Sequence, residues 1–467
     1  MTATDSPRSP LAELLYLATP TVAQMASYTV MQFIDTWMLS RLGGVPANAA
    51  ANSGILSFAA LSLGMGTVVL VNTLVSQAFG RRDFAHCGRY LWQGIWIGLL
   101  FGLALAAFIP FGEQMFRAFG HSPDLVALET IYWRIVLLSA SVKLVSMSLG
   151  EFLLGINRPL SACVAGFAGV ALNAVLAWCV VLGHCGFRSH GVAGAAWSQN
   201  AGVTCEMLVL LLLAMRPAIR KTFNTLDFRP RYRDMLDLIR VGIPSGLQWL
   251  TDILAWAVFC NGVLAVVSPA AMQANTFMLR YMVVSFMPVV GIGAAVTALV
   301  GRYIGQGQPD IAARRAHLGF FISLLYVMIC GAVFIIFRHP LMRLFTDDPE
   351  VLRIGGIYLI LAAIYEIFDA MYIIYISALR GAGDTLVPAL MMAIMCWTIS
   401  VYGGYVVAHW VPQWNPAGPW IMGCDYGAVI GIYMIARFRS GRWRDIRLHP
   451  ESLSNVVAPP ATLEAMP

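Results

Sequence analysis

Apolar runs of about 20 residues or more, each long enough to cross a hydrocarbon layer as a helix, recur along the chain with polar breaks between them. They fall at about 11–38, 52–79, 89–115, 128–153, 160–183, 192–215, 236–266, 270–304, 315–337, 351–379, 386–410 and 418–438. The pattern predicts an all-α polytopic membrane protein of twelve transmembrane helices. The one long polar interruption, R-P-A-I-R-K-T-F-N-T-L-D-F-R-P-R-Y-R-D from Arg216, falls midway. It divides the chain into an N-lobe at 11–215, a linker at 216–235 and a C-lobe at 236–440. These are flanked by a short segment at 1–10 and a polar tail at 441–467 that is expected to be disordered.

The second half repeats the first. Gly66 to Ala85 aligns with Gly293 to Ala312 at an offset of 227, which pairs Gly80 with Gly307 and Asp83 with Asp310. Gly155 and Gly381 match at 226, and Pro20 and Pro244 at 224. A parallel duplication of six plus six spans predicts two pseudo-symmetric bundles around a central cavity.

Composition agrees with the spans. Of 467 residues, 59% are hydrophobic and 12% charged, and the mean hydropathy of +0.72 lies outside the soluble globular range. The net charge of +6 comes from arginines in the turns. Arg81, Arg82, Arg89, Arg158, the 216–240 stretch, Arg302, Arg314, Arg315, Arg380 and Arg437 onward share one side, against Arg41, Arg117, Arg188, Arg338 and Arg343 on the other. Both termini are therefore expected in the cytoplasm, and the basic balance argues for a bilayer as partner, with no nucleic acid. The start of the chain does not read as a cleaved signal peptide.

Other chemistries lack their motifs. The nine cysteines show no C-x-x-C, so neither a disulfide framework nor a zinc site is indicated, and no metal or other cofactor is called for beyond a coupling ion. The only lysines are Lys143 and Lys221, and no phosphate-binding loop is present, which excludes ATP as an internal energy source. Neither H-E-x-x-H nor G-x-S-x-G occurs, so an enzyme is not expected.

What remains is a set of carboxylates inside spans. An aspartate near mid-bilayer costs roughly 2.5–3.5 kcal/mol, so such a group normally faces a partner, a cavity or an ion. The stretch Tyr365 to Pro388 carries Glu366 and Asp369, and helical spacing puts Tyr365, Asp369 and Tyr372 on one stripe. Gln248, Asp252 and Trp256 form another stripe on span seven, with Trp249 beside it, and Gln32 precedes Asp35 on one face of span one. Asn173 lies in span five and Gln273 in span eight. The aromatic residues among these are equally compatible with ordinary packing, although their faces suit organic cations. Lys143 and Glu151 stand two turns apart, and whether they meet is open; Glu151 and Glu206 read as structural. The turns at Gly80 and Arg380 read as helix caps that set topology.

The motifs F-I-D-T-W-M-L-S-R-L-G at 33–43, V-S-Q-A-F-G-R-R-D at 75–83, G-I-P-S-G-L-Q-W-L-T-D at 242–252, V-G-R-Y-I-G-Q-G at 300–307 and D-A-M-Y-I-I-Y-I-S-A-L-R-G-A-G-D at 369–384 resemble those of the multidrug and toxin extrusion (MATE) transporters, in their bacterial NorM-like branch. The resemblance covers about residues 11–440. It implies a V-shaped pair of six-helix lobes, alternating access, and export of mostly cationic, amphipathic compounds in exchange for Na⁺ or H⁺, from the bacterial inner membrane. By that resemblance Asp35, Asp252 and Asp369 are the coupling-ion carboxylates. Asp35, Gln32, Asn173, Gln248, Trp249, Trp256, Gln273, Tyr365, Glu366 and Tyr372 are expected to line the substrate cavity. One departure stands out: where some proton-coupled members carry a second aspartate one turn after the fifth-helix asparagine, this chain has Ala177, which shifts weight to Asp252 and Asp369. A monomer is expected. The alternatives are a flippase or exporter of a lipid-linked or endogenous metabolite in the same superfamily, and, in a different class, a passive channel or membrane enzyme.

Overall fold

A computed structural model describes residues 9–446 and residue 448. Among the described residues twelve helical spans follow one another, eleven of them long and apolar enough to cross a membrane when the bent pair in α4 is taken as one, with α1 the twelfth: α1 (Pro10–Ser40), α2 (Gly44–Gly80), α3 (Phe84–Ala118), α4 (Pro123–Leu138 and Ala140–Gly155), α5 (Pro159–Leu182), α6 (Gly191–Ala214), α7 (Tyr232–Val267), α8 (Pro269–Gly305), α9 (Pro309–Ile336), α10 (Pro349–Ala382), α11 (Leu386–Trp410) and α12 (Gly418–Arg439). Starts are set by local chemistry. Proline opens many of these helices, where its missing N–H costs nothing, and Ser9, Asp83, Ser268 and Asp348 accept hydrogen bonds from first-turn amides. Stops are equally local: Gly183 and Gly383 take the left-handed conformation at helix ends.

Span α4 is broken, with its two pieces at 47°. The break falls at Ser139, and Asn200 of α6 repairs it by donating to the Ile135 carbonyl at 2.6 Å while accepting from the Ser139 hydroxyl at 2.6 Å. A side chain from a neighbouring helix thus satisfies a backbone carbonyl that the broken helix leaves free.

Spans α1 to α6 pack mainly on one another, as do α7 to α12, giving two bundles. Contact between the bundles runs through α1 with α8 and α2 with α7, a pair of pairs related by the internal repeat, and through the second half of α2 with α8. The α2–α7 seam rests on small residues: Gly242 and Gly246, one helical turn apart, face Thr67 and Leu63, and a Cβ on Gly66 would lie 2.6 Å from the Gly246 Cα. Backbones approach this closely only where side chains are absent.

The lobes are joined at one end. Thr21 donates to the Gly291 carbonyl at 2.9 Å, Thr73 to Arg380 O at 2.9 Å, and Gln77 to Gly381 O at 3.0 Å. Glu13 of α1 accepts from Tyr303 at 2.8 Å and from Arg315 at 2.7 Å. All of these lie in the halves of the spans nearest the chain termini, here called the basic face. Toward the opposite face, Val30 and Phe33 on α1 and Val284 on α8 are exposed.

Two boundaries differ from the expectation. The 216–235 stretch is not a plain linker: Pro217–Phe223 is helical, and α7 already begins at Tyr232. Trp92 and Trp96 of α3 hold the segment by donating to Thr225 O at 2.8 Å and Phe228 O at 3.0 Å. The start of the 441–467 tail is folded too. Arg442–Asp445 forms a helical turn with Trp443 buried, its indole donating to Phe438 O at 2.7 Å. Residue 447 and residues 449–467, like residues 1–8, lie outside the described residues.

Candidate functional site

The C-lobe site is assembled from α7 and α10. Pro244 interrupts the hydrogen bonding of α7. Beyond it Gln248 and Asp252 project, one turn apart, toward Asp369 and Tyr372 of α10. Gln248 donates from Nε2 to the Tyr372 hydroxyl at 2.6 Å, and the Tyr365 hydroxyl donates to Asp369 Oδ1 at 3.4 Å. Asp252 and Asp369 lie close enough to repel each other. The cation that Asp252 senses is Arg380. Arg380 donates from Nη2 to Gln248 Oε1 at 3.0 Å and stacks 5.9 Å above the Trp249 ring.

Aromatic residues wall this site. Trp256 meets Tyr365 edge to face at 5.8 Å and Trp420 at 5.9 Å, and Trp420 is anchored through its indole N–H to Asn275 Oδ1 at 3.1 Å. Tyr426 of α12 is buried within electrostatic range of Asp252, Tyr365 and Tyr372. Immediately after Trp256, α7 passes through a π-helical turn at Phe259–Val263, and α11 carries another at Cys396–Gly403. Such turns concentrate at functional positions because they re-aim side chains within a continuous helix.

The N-lobe holds several polar clusters, two of them around Asp35 and Glu206. In the first, Asn173 of α5 donates to both oxygens of Asp35, at 3.4 and 3.2 Å, and Tyr132, hydrogen bonded to Gln199 at 3.1 Å, is near the same carboxylate. In the second, Glu206 of α6 accepts at Oε1 from the Tyr28 hydroxyl at 2.5 Å and from Gln24 at 3.4 Å, with Lys143 in electrostatic range.

The structure therefore unites Asp35 with Asn173, and Gln248, Asp252, Tyr365, Asp369 and Tyr372 with one another. Glu366 is buried and hydrogen bonded to Ser285 of α8, one turn toward the opposite face from Asp369. Gln32 and Gln273 are exposed, and among the described residues no hydrogen bond ties either side chain to a carboxylate. One reading from the sequence changes, and one question that it left open is answered. Arg380, which reads as a cap in the sequence, sends its side chain into the C-lobe site; an arginine among apolar positions one turn before the polar Gly383-Asp384 is the signal for it. Lys143 is in electrostatic range of Glu206, whereas Glu151 is near Asn72 and Arg380. Tyr132 and Tyr426 carry no signal in the sequence, because a tyrosine in a span is indistinguishable by spacing from a packing residue.

Two six-span bundles related by internal duplication, joined at one face and carrying buried carboxylates in each bundle, define a multi-span membrane protein of α-helical type. The MatE family model matches twice, over residues 20–179 and 253–406. The chain belongs to the MatE family. It is 26% identical over 450 residues to the probable multidrug resistance protein NorM of Mesorhizobium japonicum, covering 93% of this chain and 94% of that one. To multidrug resistance protein PmpM of Pseudomonas aeruginosa it is 25% identical over 453 residues, covering 95% and 94%. Among solved structures, an outward-facing multidrug resistance MATE family transporter of the MOP superfamily superposes with a TM-score of 0.86 at 20% identity, covering 96% of this chain and 100% of that one.

Proposed function

We propose that this protein is a multidrug exporter of the bacterial inner membrane that moves amphipathic organic cations outward by alternating access, in exchange for Na⁺ or H⁺. The observation that carries the reading is the Asp252–Asp369 pair, brought together from α7 and α10 with Arg380 as the cation beside Asp252. Asp252 and Asp369, with Glu151 also near Arg380, outweigh that one guanidinium in a low-dielectric core, so the site stabilises further positive charge. A proton or Na⁺ entering there competes with a bound organic cation for the same negative potential. The membrane potential adds about 2.3 kcal/mol per charge per 100 mV.

Orientation follows from charge. The basic face is cytoplasmic by the positive-inside rule, which makes the closed end the inner one and this conformation outward-facing. The names of the NorM and PmpM relatives support drugs as cargo. The carboxylates favour cationic cargo over a lipid-linked anionic precursor, whose carrier would present a basic cavity. Asp35 with Asn173, open toward the outer half of α1, is assigned to substrate or to a second proton.

The test is efflux of a fluorescent organic cation from proteoliposomes, with Na⁺ and pH gradients imposed separately, in wild type and in Asp369→Asn. Uphill movement driven by one gradient and abolished in the variant is the expected result. Movement by wild type that needs no gradient, or full gradient-driven export by Asp369→Asn, would overturn the assignment.

A further inference from the structure

The contacts that shut the basic face differ in kind. Glu13, in the first turn of α1, lies with both carboxylate oxygens 2.8 Å from the Tyr303 hydroxyl of α8 and accepts from it. Its Oε2 also accepts from Arg315 Nε of α9 at 2.7 Å, and Arg315 Nη2 donates to the Tyr303 hydroxyl at 3.4 Å. Arg302 Nη1 stands 3.6 Å from Oε1, with its guanidinium 5.8 Å from the centre of the Phe79 ring of α2. One N-lobe carboxylate thus meets three C-lobe side chains, two of them cationic.

The internal repeat shows that this arrangement belongs to one seam. Glu13 corresponds to Asp237 of α7 at the offset of 224 that relates Pro20 to Pro244. Arg302, Tyr303 and Arg315 correspond, at the offset of 227, to Val75, Ser76 and Gly88. The acid is repeated and these partners are not. At the α2–α7 seam glycines bring the backbones together instead, with Gly242 and Gly246 against Thr67 and Leu63. Such packing is lost without compensation when helices part, since dispersion attraction falls steeply over about an ångström. The groups around Glu13 are between 12% and 26% exposed, so water resolvates them as they separate. A charge-assisted bond within reach of water is firm when closed and inexpensive to open.

We propose that Glu13 is the inner gate residue of the transport cycle, a latch that holds the basic face shut in the outward-facing state and lets go of Tyr303, Arg302 and Arg315 when that face opens. The assignment rests on the alternating-access reading above. Leu14 and Leu17, buried against the C-lobe core, keep α1 seated when the carboxylate is removed, so neutralising Glu13 shifts the balance between the two facing states and leaves the fold in place.

The test uses the full-length protein in lipid nanodiscs, where a soluble maleimide reaches both faces. Cysteines are placed one at a time at Ser76, buried at the closed face, and at Gln32, exposed in the outer half of α1. Labelling is read on the peptide that carries the new cysteine, which separates it from the nine native ones. The expected result for E13Q is several-fold faster labelling at Ser76→Cys together with several-fold slower labelling at Gln32→Cys, with R315Q moving both rates the same way and R315K lying between it and wild type. Unchanged rates, or faster labelling at Ser76→Cys without slowing at Gln32→Cys, would overturn the proposal, the second because it reports local loosening. If E13Q does not fold, Tyr303→Phe decides by the same two rates. Neither rate needs an ion gradient or a drug. Unchanged labelling beside ion-driven efflux therefore removes the latch alone, whereas absence of efflux in wild type counts against the exporter reading.

Discussion

Arg380 donates to the Gln248 side-chain carbonyl at 3.0 Å, and Gln248 passes its amide on to the Tyr372 hydroxyl at 2.6 Å. The relay links α10 to α7 and back to α10, and holds a guanidinium beside Asp252. The Arg380 backbone carbonyl accepts from Thr73 of the other lobe at 2.9 Å. One residue therefore joins the carboxylate site to the seam between the lobes.

Replacing Arg380 with alanine should be more damaging than replacing it with lysine. A hydrogen bond to a charged group contributes about 1.5–3 kcal/mol, and alanine removes it together with the charge that offsets Asp252. Lysine keeps the charge but loses the planar fork. The expected order in thermal midpoint and in efflux rate is wild type, R380K, R380A. Indistinguishable behaviour of R380A and wild type would show that the relay is idle.

The closed end depends on the absence of side chains. A Cβ on Gly80 would strike the Arg302 carbonyl, and one on Gly305 would strike the Gln77 carbonyl. Gly80→Leu should therefore hold the basic ends of α2 and α8 apart. A cysteine placed at the buried Ser76 would report it, reacting several-fold faster with a membrane-impermeant maleimide in the Gly80→Leu background. Equal labelling rates in both backgrounds would argue that the seam adjusts without opening.

Asp83 caps α3 by accepting from the His86 amide at 3.3 Å, and its other oxygen lies 2.6 Å from His86 Nδ1. The His86 hydrogen bond, followed by the opposing effect of burial, leaves the carboxyl below the usual aspartate range. A depressed carboxylate contributes stability above its unfolded value and loses it as pH falls through the folded one. Asp83→Ala should thus cost about 0.5–2 kcal/mol at neutral pH, toward the lower end because the group is partly exposed. Thermal melts of the two proteins should converge as pH drops below the usual aspartate range, and a gap that persists there would assign the effect to packing.

The twelve spans, the parallel repeat and the grouping of Gln248, Asp252 and Trp256 on one stripe were legible in the sequence, because span length and helical period are properties of the chain alone. The break in α4 was not, since nothing in L-L-S-A-S marks it without Asn200 on α6 to satisfy the freed carbonyl. Nor was the surrounding of Lys143: spacing offers Glu151 on the same helix, but the fold brings Glu206 of α6 into electrostatic range and leaves Glu151 near Asn72 and Arg380. Gln32 shares a face with Asp35 by helical spacing, yet it stays exposed while Asp35 meets Asn173 across the α1–α5 contact. Period fixes which residues share a face. Which helix lies opposite that face, and so whether a buried charge meets an acid, a base or an open cavity, is decided by packing between spans far apart in sequence.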